Sequence, residues 1–119
     1  MAYLGGLLDG EGCFTLWHDT TPAISVTNTY PHVLHALLQE FGGHVKDKAR
    51  PDRGRTTFEW YESGERACEI ASRLLPFLLE KRRQAELMIE AVRWPRGTAK
   101  REACVRELKR LKKIDYGIG

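Results

Sequence analysis

The sequence predicts an α+β domain in which one antiparallel sheet carries its helices on one side, and three observations predict it. Two pairs of short segments alternate apolar and polar residues with the period of strands, and each pair is joined by turn-forming residues. In the remaining segments apolar residues recur every three to four positions, the period of helices. The segments follow one another as αββαββα with two further helices behind, and 119 residues suffice for one such domain, 1–119, and not for two.

The first element reads as a helix from Ala2 to about Gly10, with Leu4, Leu7 and Leu8 at helical spacing and Gly12 as its stop. Its glycines work against it, since Gly5, Gly6 and Gly10 each cost about 1 kcal/mol relative to Ala. Close approach of another backbone offsets that cost. Ala2, Gly6 and Gly10 recur every four residues and leave one face almost without side chains, so a partner helix is expected there.

Cys13 to His18 alternates with Phe14 and Leu16 on one face, and Ala23 to Thr27 with Ile24 and Val26, around a turn at Asp19-Thr20-Thr21-Pro22. Pro31 opens a helix through Val33, Leu34, Leu37, Leu38 and Phe41, which Gly42-Gly43 ends. His44 to Arg50 and Thr56 to Tyr61 form a second hairpin about Pro51-Asp52-Arg53-Gly54, with Val45, Phe58 and Trp60 inward. Ala67, Ile70, Ala71, Leu74, Leu75 and Leu78 mark a buried helix face that Pro76 interrupts. A further helix begins near Glu80 with Ala85, Met88, Ile89 and Val92 inward and stops by Pro95. The last runs from Thr98 to about Lys113, with Cys104, Val105, Leu108 and Leu111 on one face.

Charge is distributed unevenly. The first 45 residues hold four acids and no Lys or Arg; the rest hold nineteen bases against twelve acids, which takes a −4 stretch and a +7 stretch to the net +3. Lys46, Lys48, Arg50, Arg53 and Arg55 surround one turn, and nine bases against two acids lie between Arg93 and Lys113. Both clusters suit phosphate, and both also suit an ordinary solvated surface. The longest apolar run, Leu74 to Leu79, falls far short of the roughly 20 residues that span a bilayer, and no basic segment precedes an apolar core at the N-terminus. An intracellular, unexported protein with no membrane partner is expected. Cys13, Cys68 and Cys104 are odd in number and lack metal-ligating spacing, so neither a disulfide framework nor a zinc site is indicated.

Period two sends the sheet's other residues outward: Thr15 and Trp17, Thr21 and Ser25, His44, Lys46 and Lys48, and Thr57, Glu59 and Tyr61. Such side chains read base edges in a major groove, where Lys reaches guanine and Glu accepts from cytosine, and equally make a solvated sheet face. Asp9-Gly10-Glu11-Gly12 places carboxylates where helix becomes strand, among glycines that let a metal or a phosphate approach.

The segment from Leu4 to Gly12 resembles the motif that names the LAGLIDADG homing endonucleases: Leu4, Gly6, Leu7, Asp9 and Gly12 are identities, Leu8 and Glu11 conservative replacements, Gly10 a common variant and Gly5 a departure. The αββαββα order matches that family's core. Leu75-Pro76-Phe77-Leu78, with Lys81 and Gln84-Ala85, is similar to the segment after its last core helix. One motif rather than two resembles the homodimeric branch, whose subunits cross their motif helices, here through Ala2, Gly6 and Gly10, beneath a saddle of strands over DNA.

The resemblance implies an endonuclease, dependent on Mg2+ or a similar divalent metal, that cuts both strands of duplex DNA. It implies Glu11 as the metal-binding acid, the Gly10 carbonyl as a further metal ligand, Asn28 as the group positioning water, and Lys81 as a base beside the scissile phosphate. Asn28 reads equally as a cap for the helix at Pro31, Lys81 as one base of Lys81-Arg82-Arg83, and His32, a polar neighbour in the family, as a surface histidine. Arg50, Arg53 and Arg55 complete the expected DNA contacts. A different reading is a non-cleaving binder on the same scaffold, an intron-RNA splicing helper or a DNA-binding regulator. The acid at position 11 separates the two, because a carboxylate facing a phosphate repels it unless a metal intervenes. A third, a small interaction domain without nucleic acid, leaves Lys46, Lys48 and the glycine helix unexplained.

Overall fold

In the computed structural model, which describes residues 1–50 and 55–115, and of residues 48–50, 55, 114 and 115 the backbone alone, the two hairpins join into one sheet. Strands β1 (Gly12–Trp17), β2 (Thr21–Asn28), β3 (His44–Arg50) and β4 (Arg55–Ser63) are antiparallel in the order β1-β2-β4-β3. The helices are α1 (Ala2–Glu11), α2 (Pro31–Phe41), α3 (Glu65–Leu74), α4 (Arg82–Ala91) and α5 (Ala99–Asp115), with a 3-10 turn at Leu75–Phe77. This is an α+β fold.

The register follows the alternation of side chains. Phe14, Leu16, Ile24, Val26 and Trp60 are buried against Leu4 and Leu8 of α1, Leu34, Leu37 and Phe41 of α2, and Ile70 and Leu74 of α3. Each such side chain contributes about 1.5–3 kcal/mol of burial, so a one-residue slip of any strand would expose several at once. Val45 and Phe58 pack on the margin of this core. The Trp60 indole N–H donates to the Gly42 carbonyl at 2.8 Å, so the largest core side chain leaves no polar atom unpaired.

Three boundaries differ from the expected ones. The β1–β2 turn is His18-Asp19-Thr20, and Thr21 and Pro22 already belong to β2, because Pro is tolerated near the start of a strand. His18 and Asp19 both have left-handed backbones, φ 55° and 59°. That conformation costs ordinary L-residues roughly 1–2 kcal/mol each, although His and Asp adopt it more readily than most. The helix expected from Glu80 starts at Arg82 and ends at Ala91, which leaves Val92 exposed rather than inward; Leu87 and Gln84 take the buried places beside Ala85 and Met88. Pro76 does end α3, which passes into the 3-10 turn. The expected turn at Pro51 to Gly54 lies outside the described residues.

No helix among the described residues is long and apolar enough to cross a membrane. Cys13, Cys68 and Cys104 are free thiols, and burial pushes the Cys68 and Cys104 thiols above their ordinary range, with Glu65 and Glu90 respectively adding to it.

Candidate nucleic-acid interface and acid site

The glycines of α1 divide by what lies beside them. A methyl group placed on Gly5 would come within 2.3 Å of Phe77 Cβ, so this glycine lets the 3-10 turn lie against the helix. Gly12, similarly, is crowded by the Leu8 carbonyl at 2.5 Å. Gly6 and Gly10 meet nothing within 4 Å, and Ala2 beside them is exposed. The partner helix expected along Ala2, Gly6 and Gly10 is not supplied by the described residues of the chain itself.

The two acids of the motif also separate. The Asp9 carboxylate accepts three backbone N–H groups that precede α4: Leu79 at 3.1 Å, Glu80 at 3.2 Å and Lys81 at 2.9 Å. Asp9 thereby caps α4 from another helix, a charge-assisted clamp that fixes the end of α1 against the start of α4. Lys81, only 6% exposed, then directs its ammonium to the Gly10 carbonyl at 3.1 Å. Glu11 lies one residue further on, exposed, and its Oε2 accepts from Asn28 Nδ2 at 2.9 Å. The other end of the Asn28 amide accepts the Tyr30 N–H at 3.0 Å, in the residue that caps α2. Asn28 thus closes a local turn before α2 rather than capping the helix, whose N-cap is Tyr30 without a side-chain bond, and it also holds Glu11.

Glu11, Asn28, Gly10 and Lys81 therefore meet at one place, the junction of α1, β1 and the end of β2. His32 is exposed and stands against Tyr30, ring centroids 5.8 Å apart. The donor set is oxygen-rich, as a hard divalent cation requires. Among the described residues no three His, Cys, Asp or Glu side chains gather into a metal-ligating cluster, so one chain presents a single available acid here.

The sheet's outward face is ordered in rows across the strands. One row runs Cys13, Ser25, Tyr61, His44; the next Thr27, Glu59, Lys46; and Thr57 lies opposite Lys48. Tyr61 anchors the first row, with His44 stacked on it at 5.1 Å between centroids, Trp17 tilted against it at 6.1 Å and Lys46 Nζ 5.1 Å from its ring centre. Lys46 also pairs with Glu59 at 3.4 Å. The expected residues Thr15, Trp17, Thr21, Ser25, His44, Lys46, Thr57, Glu59 and Tyr61 fall on this face. Arg53 and the side chains of Lys48, Arg50 and Arg55 lie outside the described part. Cys13 and Thr27 share the face; strand parity alone would have added them.

The C-terminal bases are not all a free surface. Arg101 is buried, and Lys109 pairs with Asp19 at 3.1 Å. Lys112 donates to Thr15 Oγ1 at 2.8 Å, so α5 reaches the outward side of β1.

An αββαββα core with an acid at the end of its first helix and an outward sheet face of polar and basic side chains is the fold of the LAGLIDADG homing endonucleases. Among solved structures the chain is similar to the homing endonuclease I-CvuI in complex with its target in the presence of calcium, with a TM-score of 0.73 and 22% identity over 92% of this chain and 80% of that one. It is similar to the archaeal intron-encoded homing endonuclease I-Vdi141I complexed with DNA, at 0.72 and 20% identity over 92% and 81%. The homing endonuclease I-TnaI matches at 0.67 and 18% identity over 98% of this chain and 96% of that one. No protein-family model matches the sequence, and no curated protein matches it either.

Proposed function

We propose that this chain is one subunit of a LAGLIDADG homing endonuclease, a homodimer that makes Mg2+-dependent double-strand breaks at a specific site in duplex DNA inside the cell. The observation that carries the reading is the exposed Glu11, held by Asn28, beside an α1 face where a side chain on Gly6 or Gly10 would meet nothing of the described chain. A second copy packed on Ala2, Gly6 and Gly10 brings a second Glu11 to the same end of the helix pair, which answers the lone acid of one chain. Glu11 and the Gly10 carbonyl would hold the metal. When bound, magnesium makes water a better nucleophile and offsets charge on the leaving oxygen.

The chain's own residues divide the remaining work. Asn28 fixes where Glu11 points and offers its amide to order water. Lys81, held on the Gly10 carbonyl, supplies positive charge where the scissile phosphate comes closest. Asp9 keeps Lys81 there through its three backbone bonds. The outward rows from Thr15 to Tyr61 read base edges, while Arg50, Arg53 and Arg55 contact phosphate. That I-CvuI is described in complex with its target and I-Vdi141I complexed with DNA supports DNA as the partner.

The test is incubation with a randomised duplex library, with and without magnesium, followed by sequencing of cut ends. Recurrent ends that appear only with the metal are expected. Enrichment of bound sequences without any cut end would instead identify a non-cleaving binder on the same fold.

A further inference from the structure

We propose that Arg101 is a positioning residue that holds the β1–β2 turn in a DNA-reading conformation, with His18 as the contacting side chain; the inference rests on the DNA-binding reading above. The turn joins the two strands whose outward residues include Trp17 and Thr21, so it forms the tip of the sheet face assigned to DNA. Its two central residues, His18 and Asp19, are exposed and left-handed without being glycine. Two left-handed residues in succession, closed by Thr20 N–H on the Trp17 carbonyl at 3.0 Å, make a primed hairpin turn whose twist matches the strands it joins.

The side chains that meet this turn are on α5. Arg101 is 9% exposed, and its guanidinium is directed to backbone carbonyls: Nη2 donates to Thr20 at 2.7 Å and Nη1 to Trp94 at 3.0 Å. One guanidinium therefore ties the turn to the connection between α4 and α5, a bridge that its planar fork of donors holds in a fixed geometry. Lys109 adds its pair with Asp19, and Lys112 its bond to Thr15 two residues before Trp17. Three side chains of one helix face thus converge on one hairpin, while His18 remains exposed at its tip.

The experiment uses the full chain and the duplex that the unmodified protein enriches from a randomised library. Arg101→Lys keeps the charge and loses the fork; Lys109→Ala removes an exposed pair that folding does not require. For Arg101→Lys we expect discrimination at the outermost base pairs of the site to fall by roughly fivefold or more, with preference at the central base pairs and the salt dependence of binding unchanged. Lys109→Ala should give a smaller loss at the same positions. His18→Ala should reproduce the Arg101→Lys loss, and the double variant should lose no more, because both act through one contact. Wild-type preference in Arg101→Lys and Lys109→Ala, or a uniform loss of affinity with preference intact, would overturn the inference while leaving the DNA reading standing. If the unmodified protein enriches no duplex, the DNA reading fails and this inference with it.

Discussion

The two sides of α1 differ in what their glycines touch. On the side of Gly5 the chain packs its own 3-10 turn so closely that a methyl group would not fit; on the side of Gly6 and Gly10 there is open space. The same helix ends in two acids with the same division, Asp9 engaged by three backbone amides and Glu11 exposed. The difference teaches that glycine content alone does not say who the neighbour is. One side is filled by the chain's own fold, and the other stays open among the described residues.

The largest effect should come from the open side. Gly6→Leu places a branched side chain where nothing of the chain itself stands, so the monomer should fold. At a symmetric interface the overpacking occurs twice, about 2–6 kcal/mol in all. Sedimentation should show a dimer for the unmodified protein and a folded monomer for the variant. Gly5→Ala should do the reverse, destabilising the fold by about 1–3 kcal/mol in chemical denaturation, because Phe77 has to move, although the helix gains roughly 1 kcal/mol of propensity.

Asp9→Asn sharpens the contrast between the acids. It replaces a charged acceptor of three N–H groups by a neutral one and should cost about 1–2 kcal/mol of stability. If Asp9 is a clamp, cleavage should fall in proportion to the displacement of Lys81 while metal affinity stays; a loss of metal binding would make Asp9 a ligand. The smallest effect on the fold is at the sheet face, where the loss falls on binding instead. Lys46→Ala removes an exposed ion pair of little worth to the fold, but should cost about 1–3 kcal/mol at the preferred site and relax choice at one or two base pairs. A uniform loss across sequences would contradict the groove-reading register.

Much of the fold was legible because its signals are local. Pro31 and Gly42-Gly43 bracket α2 at the residues where it begins and ends, and period two assigned Phe14, Ile24 and Trp60 to the core. Val92 misled because its helical spacing continues past the residue where the helix stops, and Pro22 because proline signals a strand start as readily as a turn. The site was legible in part. Glu11 announced itself through the motif, but the clamp from Asp9 to Leu79, Glu80 and Lys81 joins residues 70–72 positions apart in sequence, and no local pattern carries it. Arg101 is similar, one base among the nine between Arg93 and Lys113 and distinguished only by the carbonyls it reaches.

The central claim is that two copies each contribute one Glu11, each acting on one DNA strand. It is tested most directly by mixing the unmodified protein with Glu11→Gln, which keeps the shape and removes the charge, and following cleavage of a supercoiled plasmid that carries a site recovered from the duplex library. The account predicts linear product from the unmodified protein, none from the variant alone, and accumulation of nicked circles from the mixture. Linear product from Glu11→Gln alone, or a mixture that yields only linear DNA at a reduced rate with no nicked excess, would contradict it.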